Sequence, residues 1–275
     1  MAYFPRRLGY VVARVVADTV YLTSPGLRQH ISQNMRHVLG HEVEGVMVRR
    51  AVRDVLRNTA RNYFDLIKIP HMDLSDIDGC MVLHGWQHVE KAIARGRGIV
   101  FVTAHLGSFD LAVQLLAARS VRATIPVEPL KPTPLLKHVT ALRNSKGLCF
   151  VPARSGVLEV LLQSLRRGEA VVLPCDRDIN GDGMDVDFFG ERTSLPTLAV
   201  RLAMRTGAAV VPAFNLRRED GDYDAFFEPA VDMALGGDGA VARNVEQVAH
   251  VMERYIRMRP EQWVVLNAVW ANEVS

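Results

Sequence analysis

From residue 98 onward the chain alternates apolar runs of strand length with segments of helical period, and no other feature constrains its fold as much. The runs are GIVFVTA, ATIPVEP, LCFVPA, AVVLPC and AAVVPAF, and between them lie FDLAVQLLAARS, PLLKHVTALRNS, GVLEVLLQSLRRG and LPTLAVRLAMRTG. Short continuous apolar runs are strands buried on both sides, and a helix after each returns the chain to begin the next strand in the same direction. The pattern predicts an α/β fold in which a mainly parallel central sheet carries helices on both faces. Residues 27–68 read instead as two polar-rich helices, broken at Gly40 and ended by Pro70. No linker, low-complexity tract or repeat interrupts the alternation. The expected division is a helical N-terminal arm, residues 1–70, which associates with membranes, and an α/β domain, residues 71–275, the two forming one continuous globular unit. A chain of 275 residues that is 49% hydrophobic has the material for such a core.

The arm carries its own signal. No stretch reaches the roughly 18 apolar residues of a spanning helix, and the nearest, residues 8–22, is interrupted by Arg14 and Asp18. On a helix, Leu8, Val11, Val12, Val15 and Val16 crowd one side, while Tyr10, Arg14 and Asp18 follow one another on the other. Net charge is only +3, yet residues 1–68 hold eleven Lys/Arg against five Asp/Glu. An amphipathic helix beside a basic excess suits an anionic bilayer surface, and a solvated helical face packed on the domain competes with that reading. Nucleic acid is not expected, because the basic residues are not interleaved with stacking aromatics. Cys80, Cys149 and Cys175 are three cysteines without CxxC spacing, which indicates neither a disulfide framework nor a zinc ribbon and makes a reducing cytoplasm the default.

In parallel sheets chemistry gathers just beyond the carboxyl ends of the strands. Four polar clusters fall there: residues 105–110, Glu128, Arg154, and residues 175–178. The run IVFVTAHLGSFD ends in His105, with Asp110 five residues on. One continuous helix would set these two about 140° apart. The expectation is therefore that the strand stops at Ala104, Ser108 caps a helix, Asp110 lies in its first turn, and Gly107 lets the carboxylate reach the imidazole. An imidazole at a helix start is disfavoured in its protonated form, and a carboxylate fixes its tautomer, an arrangement suited to deprotonating an alcohol. An acid in a first helical turn and a satisfied loop histidine account for the same spacing.

The block EKAIARGRGIVFVTAHLGSFDLA resembles the active-site block of the bacterial lipid A biosynthesis acyltransferases and the related phosphatidylinositol mannoside acyltransferases, within the wider lysophospholipid acyltransferase group that shares an HxxxxD motif. QNMRHVLG, DVDFFGERTSLPTLAVRLAMRTGAAVVPAF and RPEQWVVL follow in the family's order, so the resemblance covers nearly the whole chain. It implies transfer of a fatty acyl group from an acyl carrier protein (acyl-ACP) or coenzyme A (acyl-CoA) thioester to a hydroxyl of a membrane glycolipid acceptor. His105 would be the general base and Asp110 its orienting partner. No cofactor and no metal are implied, because the thioester is already activated. An oxyanion would be held by backbone N–H groups near the helix start or by a cation, and a long apolar channel must hold the acyl chain. The absence of a full N-terminal span implies peripheral attachment, at the cytoplasmic face of the cell membrane.

The resemblance also suggests substrate contacts. Arg143 would bind phosphate or brace the thioester region, with a helix C-terminal complement as the alternative, and Glu128 would contact the acceptor. Asp176 and Arg177 would face a head group. Glu191, within FFGERT, echoes a phosphate-binding block ahead of a helix at Pro196, with Thr193 or Ser194 as cap. Head-group contacts by Trp263 and Trp270 are in doubt, because LNAVW lacks the family's usual basic residues. DRDINGDGMDVD nearly fits a calcium loop, but the strand-like EAVVLPC before it argues against one. Two further readings stay open: a metal-dependent hydrolase with His105, Asp110, Asp176 and Asp178 as ligands, and a noncatalytic lipid-binding protein.

Overall fold

The computed structural model describes residues 5–128, 132–234 and 236–270. Three helices come first: α1 (Arg6–Thr23), α2 (Pro25–Leu39) and α3 (Gly45–Lys68). The rest alternates as α4 (Leu74–Gly79), β1 (Met81–His84), α5 (Trp86–Ala94), β2 (Ile99–Thr103), α6 (Phe109–Ala112), α7 (Gln114–Ala118), β3 (Ala123–Val127), α8 (Thr133–Asn144), β4 (Cys149–Pro152), α9 (Val157–Arg166) and β5 (Ala170–Pro174). Then follow β6 (Met184–Phe188), β7 (Glu191–Leu195), α10 (Leu198–Thr206), β8 (Ala209–Arg217), β9 (Tyr223–Phe227) and α11 (Ala240–Met258).

The central sheet has seven strands in the order β1-β9-β8-β2-β5-β3-β4, and β6 and β7 form a separate hairpin. Every pairing in the large sheet is parallel except β8 with β9. The predicted α/β class, with its mainly parallel sheet, covered faces and helical N-terminal region, is what the chain adopts. Side-chain alternation along the buried strand β2 feeds two cores. Val100 and Val102 pack with α9, α10 and α11 on one face, and Ile99 and Phe101 with α5, α7 and α8 on the other. Helix α3 belongs to both cores, through Val52 and Val55 on one side and Leu66 on the other.

Two local predictions are corrected. FFGERT does not lead straight into a helix: Phe188 and Glu191 close an antiparallel hairpin through Phe189 and Gly190, whose φ of 57° and 83° give the doubly left-handed turn that matches strand twist. The next helix starts at Leu198, after Thr197, and neither Thr193 nor Ser194 caps it. Pro212 lies inside β8, where pairing with β2 gives out and pairing with β9 begins.

The arm's amphipathic helix also has a definite orientation. In α1, Gly9, Ala13 and Ala17 are buried, and the small faces meet α3 closely enough that a Cβ on Gly9 would collide with the Phe64 ring. The stripe Leu8, Val11, Val12, Val15, Val16 points to solvent. Small residues face inward here and valines outward, the reverse of an ordinary surface helix. No helix among the described residues is long and apolar enough to cross a membrane.

Candidate active site

Strands β2 and β5 pair in parallel with Thr103 opposite Pro174. Continuing that register two residues past the sheet brings His105 opposite Asp176, and the Cys175 N–H still donates to the Thr103 carbonyl at 2.8 Å. The imidazole Nδ1 lies 2.8 Å from Asp176 Oδ1, while the His105 backbone N–H donates to Oδ2 at 2.8 Å. The Trp263 indole donates to the same Oδ2 at 2.7 Å. Asp176 is 0% exposed and the His105 side chain 22%. Burial pushes the Asp176 carboxyl up, but the charge and hydrogen bonds of His105, with the indole donor, outweigh it and hold the group below its ordinary value. An ionised carboxylate only accepts, so Nδ1 carries a proton, and in the neutral imidazole Nε2 then presents the lone pair.

The sequence pairing of His105 with Asp110 is therefore corrected. Asp110 lies in the first turn of α6, as expected, but its two oxygens accept from Arg143 Nε at 2.7 Å and Nη2 at 3.0 Å. That bidentate pair is almost wholly buried and ties the α6 turn to the end of α8. The imidazole turns instead to Asp176. Ser108 occupies the N-cap position without capping; its hydroxyl donates to Asp65 at 3.2 Å. Gly107 is needed for a different reason than the one expected. With φ of 62°, it passes so near β8 that a Cβ would sit 2.2 Å from the Asn215 carbonyl.

The turn is held from behind by a buried network that sequence reasoning missed. Asp65, on α3, accepts from Ser108, from Arg217 Nη2 at 2.8 Å, and from the hydroxyls of Tyr223 at 2.8 Å and Tyr10 at 2.9 Å. Arg217 also donates to Asn62, whose amide donates to the Gly107 carbonyl at 2.6 Å. Tyr10 belongs to α1, so the arm and the turn share one hydrogen-bonded cluster. On the other side, Gly107 N–H donates to Gln262 and Val264 N–H to the His105 carbonyl. The amides of His105, Leu106, Gly107 and Ser108 all donate within the protein, to Asp176, Ala104, Gln262 and Asn215. None of these four is open to receive an oxyanion, which leaves the amides of Phe109 and Asp110 at the start of α6, or a cation, as the expected donors.

The other predicted residues are spread around this centre. Arg177 donates to Glu128 at 2.9 Å, joining the loops after β5 and β3 through an exposed carboxylate. Asp176 cannot face a head group, because it is sealed beneath His105. Glu191 directs its oxygens at His37 and His41, and Arg154 is exposed. Trp263 and Trp270 are buried in an aromatic cluster with Phe188 and Phe189, away from any head group. Neither the hydrolase ligand set nor the calcium loop is assembled. Asp110 is taken by Arg143, and Asp178 accepts from the N–H groups of Asn180, Gly181 and Gly183 and from the Ser194 hydroxyl. Cys175 is buried and its thiol pushed far up by desolvation, which makes it no nucleophile. An apolar crevice lined by Cys175, Leu195, Ala199, Val200, Val248 and Met252 has essentially no open volume.

Comparison with known proteins gives this geometry a context. Residues 1–272 match the family model described as bacterial lipid A biosynthesis acyltransferase. A phosphatidylinositol mannoside acyltransferase of Mycobacterium tuberculosis (strain ATCC 25618 / H37Rv) is 32% identical over 219 residues, 78% of this chain and 67% of that protein. One from Mycolicibacterium smegmatis is 28% identical over 262 residues, covering 94% and 84%. A lipid A biosynthesis acyltransferase of Haemophilus influenzae is 25% identical over 183 residues, covering 66% and 56%.

Proposed function

The chain belongs to the bacterial lipid A biosynthesis acyltransferase family and is an acyltransferase, and on that premise we propose that it O-acylates a glycolipid by general-base catalysis at His105. The observation that carries this reading is the His105–Asp176 pair, 2.8 Å apart at the ends of adjacent strands, with the imidazole partly open and the carboxylate sealed beneath it. His105 Nε2 takes the proton of the acceptor hydroxyl as its oxygen attacks the thioester carbonyl carbon. Asp176 keeps Nδ1 protonated and stabilises the imidazolium. When the tetrahedral intermediate collapses, the carbon–sulfur bond breaks and the imidazolium returns the proton to the departing thiolate. An ester and a free thiol result, with no metal and no covalent enzyme intermediate.

The acyl donor is an acyl-ACP or acyl-CoA thioester. The acceptor is a phosphatidylinositol mannoside-type glycolipid, favoured over a lipid A precursor because the relatives named for the mannoside match more of the chain. Asp110 and Arg143 act together, bracing the turn that presents His105. The chain docks peripherally on the cytoplasmic face of the membrane through α1, whose exposed leucine and valines enter the interface while neighbouring basic residues meet anionic lipid. Incubating the purified protein with acyl-CoA or acyl-ACP and the mannoside lipid, followed by mass spectrometry, tests the reaction. The expected product is one acyl ester heavier by a single chain, and donor hydrolysis without ester formation overturns the proposal. For docking, co-sedimentation with anionic vesicles should be lost in a Val12→Glu, Val15→Glu double variant of unchanged thermal stability; undiminished binding removes α1 from the account.

A further inference from the structure

Away from the His105 centre, the end of α2 and the start of β7 converge on one point. His37 lies in the last turn of α2, and His41 follows its C-cap Gly40, which turns the chain with φ of 97°. Glu191 opens β7, 150 residues further on. Its two oxygens are divided between the histidines, with Oε1 2.5 Å from His41 Nε2 and Oε2 3.3 Å from His37 Nε2. One ligand atom from each residue lies within 4.8 Å of the other two, and these residues form the one such group of His, Cys, Asp and Glu among those described.

We propose that His37, His41 and Glu191 bind a divalent transition-metal cation, with Zn2+ as the best match. Two imidazole nitrogens and one carboxylate oxygen are a donor set that zinc accepts with a fourth position open. Tetrahedral ligands at about 2.0–2.2 Å from zinc stand roughly 3.3–3.5 Å apart. The distances present here, 2.5 and 3.3 Å with all atoms inside 4.8 Å, need only small side-chain rotations to reach that spacing. Burial suits the same purpose. The His37 side chain is 2% exposed and packs on Trp270 with ring centroids 4.0 Å apart, so one ligand is fixed in place. The His41 side chain is 56% exposed, which leaves an entry path and room for water as fourth ligand.

The role is structural. The ion would clamp the N-terminal arm to the β6–β7 hairpin. Phe188 of that hairpin stacks on Trp270 and borders Trp263, the donor to Asp176. The proposal is independent of the acyltransferase mechanism, which uses none of the three residues.

The test uses the full, untagged chain, stripped with chelator and titrated with Zn2+ by calorimetry, with metal content and melting temperature measured in parallel. One Zn2+ per chain with micromolar or tighter affinity and a rise in melting temperature is expected. His41→Ala, at a half-exposed position, should keep the fold and weaken binding at least tenfold, and His41→Asp, which restores a ligand, should recover part of it. No binding to the wild type, or equal binding by wild type and His41→Ala, overturns the proposal.

Discussion

Asp110 stands five residues from His105 and bonds Arg143, whereas Asp176 stands 71 residues away and bonds His105. The near carboxylate is held by a bidentate arginine, an arrangement that fixes the turn. The far one accepts from an imidazole, a backbone amide and an indole, an arrangement that fixes a tautomer. Both are buried acids, one near His105 in sequence and the other bonded to it in space, and they differ in what each stabilises. The difference teaches that in a parallel sheet the neighbour of a strand-end residue is decided by strand order. Strand β5 lies beside β2 in the sheet although β3 and β4 intervene in sequence, so the last of the four polar clusters, residues 175–178, supplies the partner that the nearest acid does not.

The comparison can be broken by substitution. His105→Ala should abolish acyl transfer with the melting curve unchanged, and a rate within a few-fold of wild type would remove His105 from the chemistry. Asp176→Asn preserves volume but lets the side chain offer an N–H toward Nδ1. A loss of about 10²-fold or more in kcat, within the range of general-base assistance, is expected, with a much smaller change in KM. If Asp110→Asn lowers kcat more than Asp176→Asn at equal stability, the two roles are reversed.

Stability sharpens the same contrast. Arg143→Ala strands a buried carboxylate and should cost up to about 3–5 kcal/mol in denaturant unfolding, as breaking a buried ion pair does. An Asp110→Asn, Arg143→Met double variant should recover much of that loss. Full stability in Arg143→Ala, together with lost activity, would move the pair from bracing to chemistry. The smallest effect is in pH. The Asp176 carboxyl is held below its ordinary 3.8 in the folded state, so its contribution is complete above that value and disappears as pH falls through the folded pKa. The stability gap between wild type and Asp176→Asn should therefore narrow on strong acidification. A gap that grows as pH falls through this acid range contradicts the sign.

Much of this was legible in the letters. The strands β2, β3, β4, β5 and β8 were readable because burial on both faces demands continuous apolar runs, and His105 was conspicuous as a polar break at the end of one. Strands β1 and β9 escaped notice because they are short and are not buried along their whole length, and β6 and β7 because their outward faces carry charged residues. The Asp176 and Trp263 contacts were out of reach for a topological reason: their placement depends on which strands pair, and no local period records that. Asp65 and Arg217 read as ordinary helix and strand charges until three elements close around them. The valine stripe of α1 was visible in the sequence, and only the fold shows that it faces outward.

The claim at the centre is that Asp176 sets the tautomer of His105. Nitrogen NMR of selectively labelled histidine in wild type, Asp176→Asn and Asp110→Asn reads that directly. Wild type and Asp110→Asn should show Nδ1 protonated and Nε2 bare, with the order disturbed only in Asp176→Asn. A protonated Nε2 in neutral wild-type His105, or a tautomer that changes with Asp110 and ignores Asp176, would contradict the account.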